Sequence, residues 1–286
     1  NSSRKPCFAR KRSYYNLANS LMKPEPDIHQ LFDLTGKTAL ITGASGYLGG
    51  AMSLALAEAG ASVIVGSRDA DRAGETAAYL PGNDSQNHFG VALNNQDEAS
   101  LETGYAEAVE RSGGIDILVN NGHAADAHDW TNVSAEDFND QLANATGYFL
   151  LARHHRNHLV ETGKKGSVLM IGSMYGVVGS YPDAYEGVAP ASPVHYHTLK
   201  GGIVHLTRHL AVYWAKDGVR VNCLSPGPFP SEKAPQDMVE RLKHKSPMGR
   251  MGLPSELKGP MLLLVSEAGS YLTGQNLLVD GGWTAW

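Results

Sequence analysis

A chain of 286 residues, 42% of them hydrophobic, is long enough to bury one large core, and no apolar run in it reaches the roughly 20 residues that crossing a bilayer requires. A formal charge of −5 gives no electrostatic case for nucleic acid as a partner. The two cysteines, Cys7 and Cys223, stand far apart in unlike contexts, so neither a disulfide framework nor a thiolate metal site is expected and a reducing, cytoplasmic compartment is the default.

The chain starts basic. Arg4, Lys5, Arg10, Lys11, Arg12 and Lys23 all precede the first acid, Glu25, with no apolar segment of the secretory kind among them. An Arg-rich, acid-poor start also suits a transit peptide, and the missing initiator Met suits a trimmed or partial chain. The reading adopted for residues 1–33 is a tail lying on the surface of this chain or of a neighbouring subunit.

From Gly36 onward, short apolar runs alternate with helical patterns. Runs at 38–41, 62–65, 88–93, 117–120, 168–171, 219–224 and 276–279 are bounded by Gly, Asn or Ser and read as strands buried on both faces. Helical patterns occupy 97–111, 135–161, 194–216 and about 256–265, and Ser134 with Asp137 three residues on is an N-cap signature. This alternation predicts a single α/β domain, 34–286, built as a doubly wound parallel sheet with its ligand at the carboxyl ends of the strands. His154, His155 and His158 lie among Arg153 and Arg156 and read as a solvated helix face, so no metal site is expected there.

Chemistry enters at Thr42-Gly43-Ala44-Ser45-Gly46-Tyr47-Leu48-Gly49, between the first strand and a small-residue helix. Glycines let backbone approach an anion, and the N–H groups of a helix start point at it, so this is a phosphate cradle. Later, Tyr196-His197-Thr198-Leu199-Lys200 puts a phenol and an ammonium one helical turn apart on the same face. A tyrosine titrates near about 10, and an adjacent ammonium favours its phenolate; a lowering of about three units corresponds to roughly 4 kcal/mol.

Together with Ile115-Asp116-Ile117-Leu118-Val119-Asn120-Asn121-Gly122, Asn144, Ser173-Met174-Tyr175-Gly176, Val221-Asn222-Cys223-Leu224-Ser225-Pro226-Gly227 and Val279-Asp280-Gly281-Gly282, these motifs resemble the short-chain dehydrogenases/reductases, in that family's order, from about Leu34 onward. The resemblance implies a Rossmann-type fold, NAD(P), and hydride transfer between nicotinamide and an alcohol or ketone. It implies Tyr196 as general acid–base, Lys200 as the group that lowers its pKa and bonds the nicotinamide ribose, Ser173 as donor to the substrate oxygen, and Asn144 as holder of a water in a proton relay. It further implies cofactor contacts from Gly43, Ser45, Gly46, Leu48, Ser67, Arg68, Asn94, Asn120 and Gly122, with Pro226, Gly227, Phe229 and Ser231 on the far side. A homo-oligomer, dimer or tetramer, associating through 135–161 and 194–216 is also implied, with a small-molecule substrate as the other partner.

Several positions depart from the family pattern. Tyr47 stands where the compact branch carries glycine, and the spacing Thr-Gly-x-x-Gly-x-x-Gly is commoner in epimerases and dehydratases. Only 86 residues follow Lys200, too few for the substrate domain of that extended branch, so the loop is read as a local variant with Tyr47 projecting away from the phosphates. His123 replaces a glycine and could touch substrate or cofactor. Ser67 stands where an acid would bind both ribose hydroxyls, and Arg68 follows it, which favours NADP(H) over NAD(H); Asp69 weakens that case unless it caps the next helix. The segment 180–193 is an insertion between Ser173 and Tyr196, expected at the mouth of the site, with Tyr185 and Glu186, alongside Tyr175, as substrate contacts. Asp183 is expected to bond substrate hydroxyls, and Tyr181 to offer a flat apolar surface.

The expected activity is therefore an NADP(H)-preferring oxidoreductase acting on a polar, polyhydroxylated secondary alcohol or ketone. The alternatives are a cofactor-retaining epimerase or dehydratase, and a dinucleotide sensor without catalysis.

Overall fold

The computed structural model describes residues 25–124, 126–188 and 192–285. The expected strands are present with small changes of length: β1 Thr38–Thr42, β2 Ser62–Ser67, β3 Phe89–Ala92, β4 Ile117–Asn120, β5 Gly166–Ile171, β6 Val219–Pro226 and β7 Asn276–Val279. All pair in parallel in the order β3-β2-β1-β4-β5-β6-β7, with registers such as Leu40 against Ile64 and Leu118. Strand order reverses between β1 and β4, and a crevice at that switch point is where a doubly wound sheet receives its ligand.

Helices cover both faces: α1 Ile28–Phe32, α2 Tyr47–Glu58, α3 Ala70–Ala78, α4 Glu98–Ser112, α5 Ala135–Glu161, α6 Pro182–Tyr185, α7 Val194–Trp214, α8 Gln236–Lys245 and α9 Lys258–Val265. Because side chains alternate along a strand, Leu40 enters one core with Leu101, Tyr148 and Ile203, while its neighbours Ala39 and Ile41 enter the other with Met52, Leu56 and Met261. No helix among the described residues is long and apolar enough to cross a membrane.

Helix α5 begins as expected, with Ser134 accepting from the Asp137 amide at 3.0 Å while the Asp137 carboxylate receives the Ser134 amide at 3.3 Å. Its histidines overturn the solvated-face reading. His155 is fully buried and its Nδ1 lies 3.1 Å from the Tyr105 hydroxyl, while His154 and His158 are half-buried with their rings about the same Tyr105. Burial pushes His155 down to about 3, so it is neutral. The basic tail lies mostly outside the described residues. Its end is a short helix, α1, that Asp27 and Gln30 cap reciprocally.

Candidate active site

At the switch point a cleft of about 490 Å³ opens between the glycine loop, the end of β2 and the loop after β4. The loop is tight because it must be. Gly43 has φ +66°, a left-handed conformation, and a Cβ on Gly49 would lie 2.2 Å from the Gly43 carbonyl oxygen. With Gly46 as N-cap, α2 starts at Tyr47 and its first amides have no helical acceptor. Gly43, Ser45, Gly46 and Leu48 all line the cleft. Tyr47 does as well, half-exposed on the rim.

Asn121, which the sequence reading passed over, ties this loop to β4. Its Nδ2 donates to Thr42 O at 3.0 Å and Gly43 O at 3.1 Å, and the amides of Asn121 and Gly122 both donate to Thr42 Oγ1. The preceding Asn120 turns inward instead. Its Nδ2 donates to Tyr148 O at 2.9 Å and the residue is fully buried, which corrects its assignment as a cofactor contact. Asn94 and Gly122 line the cleft as expected.

Ser67, Arg68 and Asp69 stand at the far end of the cleft. Asp69 is the N-cap of α3, its carboxylate accepting from the amides of Asp71 at 3.0 Å and Arg72 at 3.1 Å. One oxygen of the Asp69 carboxylate is thus committed to the helix start. Arg72, unremarked in the sequence, joins Arg68 on the cleft wall, one Nη donating to Ser45 O at 3.3 Å. Two guanidiniums and two serines form a pocket suited to a phosphate.

Across the sheet, the ends of β5 and α7 bring Ser173, Tyr196 and Lys200 together. Ser173 is the cap of a short turn, accepting from the Tyr175 amide at 3.1 Å, and its hydroxyl stands near enough to the Tyr196 phenol to favour the phenolate. Lys200 is buried under the phenol. Its Nζ donates to Ile171 O at 2.8 Å and lies 5.6 Å from the Tyr196 ring centroid. Burial lowers Lys200 to about 8 and raises Tyr196, with the Ser173 contact pulling the phenol the other way. The expected lowering of Tyr196 by Lys200 is therefore not found: desolvation wins, and Tyr196 is protonated at neutral pH, as a proton donor must be.

His123 reaches this centre, its ring 5.9 Å from that of Tyr196. Desolvation and then the Lys200 charge hold its imidazole below the usual range, although part of the ring is still open to solvent. Asn144 lines the cleft, but its amide is engaged at both ends: Oδ1 receives the Ala124 amide at 2.9 Å and Nδ2 donates to Gln141 O at 2.9 Å. It clips the loop after β4 to α5.

The insertion departs further from expectation. Asp183 is paired with Lys245 of α8 at 2.6 Å, the Tyr181 ring sits edge-on to buried Trp283, and exposed Glu186 lies past the end of α6 with its carbonyl receiving Arg241. Tyr185 does face the catalytic side, its hydroxyl 2.7 Å from that of Tyr175. The stretch after β6 is also partly structural. Gly227 packs so closely on Asp280 that a Cβ would lie 2.5 Å from its Cα, and the Phe229 ring fills the space over Gly252. Phe229 lines a cavity of about 110 Å³, Pro226 is buried and Ser231 half-buried.

Comparison with known proteins agrees with this architecture. The family described as enoyl-(acyl carrier protein) reductase matches residues 43–284. A sorbose reductase of Schizosaccharomyces pombe is 33% identical over 263 residues, 88% of this chain and 98% of its own length. A short-chain type dehydrogenase/reductase from Mycobacterium marinum superposes with a TM-score of 0.82 at 33% identity, over 91% of this chain and 100% of that one. A gluconate 5-dehydrogenase from Burkholderia cenocepacia, solved with NADP and tartrate, gives a TM-score of 0.79 at 26% identity over 91% and 100%. The chain belongs to the short-chain dehydrogenase/reductase family and is an NAD(P)-dependent oxidoreductase.

Proposed function

We propose that this protein reduces a polyhydroxylated ketone, or oxidises the corresponding secondary alcohol, with NADP(H) preferred over NAD(H). The observation that carries the cofactor preference is the capping role of Asp69, which leaves Ser67, Arg68 and Arg72 as the groups facing a ribose 2′-phosphate. The glycine cradle fits the pyrophosphate, since Gly43 and Gly49 leave no room for a Cβ and the first amides of α2 have no helical acceptor. The polyol reading draws on the sorbose reductase and gluconate dehydrogenase relatives. The phenols and imidazoles around Tyr196 are groups that bond hydroxyls.

When bound, the nicotinamide supplies or takes up the hydride. The chain's own residues handle the oxygen. Ser173 donates to the carbonyl oxygen and stabilises the negative charge that grows there. Tyr196, kept protonated by burial, delivers its proton to that oxygen, and the Lys200 ammonium beneath the ring stabilises the phenolate that remains until solvent reprotonates it. In the oxidising direction the same phenol must first lose its proton.

Exposed Val212 and Tyr213 on α7 suit subunit association through α5 and α7, and the free thiol of Cys223 suits a cytoplasmic setting. The test is a spectrophotometric screen of NADPH and NADH consumption with sorbose, other ketoses and sugar acids. Turnover with a ketose, faster with NADPH, is expected; no net consumption with any carbonyl substrate would contradict the reading and point to cofactor-retaining chemistry.

A further inference from the structure

Tyr196 is bracketed by two histidines, and each reaches a different wall of the cleft. His195, fully buried in the first turn of α7, places Nε2 2.7 Å from Asp126 Oδ2, with Phe138 of α5 tilted against its ring at 6.1 Å. Its Nδ1 has no partner among the described residues, so a single ring proton on Nε2, donated to Asp126, accounts for the geometry. The other Asp126 oxygen receives the Ala127 amide at 2.7 Å and lies 2.8 Å from His128 Nδ1. On the opposite side, His197 Nε2 is 2.7 Å from Ser192 Oγ, and its ring stacks on Tyr175 at 4.5 Å, whose hydroxyl meets that of Tyr185.

The first wall is the loop from β4 to α5, and it carries His123. That loop is held before His123 by the Gly122 amide on Thr42, and after it by Asn144 on Ala124 and His195 on Asp126. The second wall is the turn after Ser173 together with the insertion. Helix α7 has Pro193 as N-cap and no side-chain cap, so the two histidines are what its first turn offers to its surroundings.

We infer that His195 and His197 are positioning residues that lock the two walls of the substrate cleft to the helix carrying the proton donor, and that the Asp126–His195 contact sets His123 at the cleft mouth beside Tyr196. This rests on the proposed role of Tyr196. Neither histidine is assigned a contact with substrate or cofactor; they act through the loops they hold.

Asp126 is the safer place to cut, because its side chain is 26% exposed whereas His195 is wholly buried. Losing a hydrogen bond to a charged group corresponds to about a tenfold change in a local equilibrium. Asp126→Ala is therefore expected to speed amide hydrogen exchange across residues 121–128 about tenfold, with β5 and β6 unchanged. It should raise KM for the ketose turned over, sorbose being the first probe, about tenfold, while KM for NADPH moves less than about twofold. His195→Leu should do the same, the double variant should be no worse than either single one, and His195→Gln, which keeps a donor near the Nε2 position, should restore most of the affinity. Unchanged exchange in Asp126→Ala, or additive losses in the double variant, would overturn the proposal. Failure of the parent to turn over any ketose would strike the proposed substrate class and leave the exchange result to decide the clasp by itself.

Discussion

Removing the carboxylate of Asp69 separates two tasks that the sequence left entangled. In the structure Asp69 accepts from the amides of Asp71 and Arg72 at the start of the nine-residue helix α3. Losing an N-cap costs about 1 kcal/mol, which for a chain of this size lowers the melting temperature by about 2 °C. The lost charge is exposed, so its screened effect on a neighbouring 2′-phosphate stays within about threefold. Asp69→Ala should thus melt slightly earlier and leave the NADPH/NADH ratio of kcat/KM nearly where it was, and Asp69→Ser should recover the stability. Arg68→Ala and Arg72→Ala should do the opposite. Each removes an exposed charge-assisted contact of about 1 kcal/mol, lowering kcat/KM for NADPH about fivefold and that for NADH little, with the loss shrinking at high salt. The assays are thermal melting and initial rates with both cofactors at two ionic strengths. An Asp69→Ala protein with unchanged melting and a tenfold shift toward NADPH would refute the capping argument and return Asp69 to the ribose.

Gly49→Ala should cripple cofactor binding, because the new methyl would lie 2.2 Å from the Gly43 carbonyl oxygen, in backbone that cannot give way; a fluorescence titration with NADPH should show a Kd raised by an order of magnitude or more. Acid should destabilise the fold through His155, whose pKa in the folded chain is about 3 against an ordinary 6.5. Its contribution is complete above pH 6.5 and is lost as pH falls toward 3, about 2 kcal/mol between pH 7 and pH 5. Urea midpoints at those two values should show a drop that His155→Leu largely removes. Raised Tyr196 should make alcohol oxidation climb with pH through the neutral and alkaline range while ketone reduction stays flat near pH 7, measured as kcat/KM profiles in both directions.

Strands and the Tyr196–Lys200 pair were legible because each rests on a local pattern: a short apolar run between breakers, or two side chains four residues apart on one helix face; Ser173, 23 positions before Tyr196, was reached only through the family resemblance. The misreadings share a cause, namely a partner distant in sequence. His155 looked solvated among arginines because Tyr105, 50 residues earlier, cannot be seen as its neighbour. Asp183 looked free for substrate until α8, which carries Lys245 and has few apolar residues to announce it, folded against the insertion. Asn120 and Asn121 differ by a single position, and only the pleat of β4 decides that the first faces the core and the second the glycine loop. Arg72 had a signal that could have been used: it sits one turn behind Asp69, where a helix starting at the ribose end directs its first long side chain toward the cleft. Tyr196 stands beside Ser173 and over Lys200, but the direction of its pKa shift was not legible, since burial depends on depth that spacing does not encode.

The central claim is that Tyr196 gives its proton to the substrate oxygen. Tyr196→Phe keeps the ring that packs over Lys200 and His123 and removes only the hydroxyl. Single-turnover reduction of a ketose by bound NADPH, followed by loss of nicotinamide absorbance, should slow by about 100-fold or more while the Kd for NADPH stays within about twofold. A Tyr196→Phe protein that transfers hydride at near the parental rate would contradict the account.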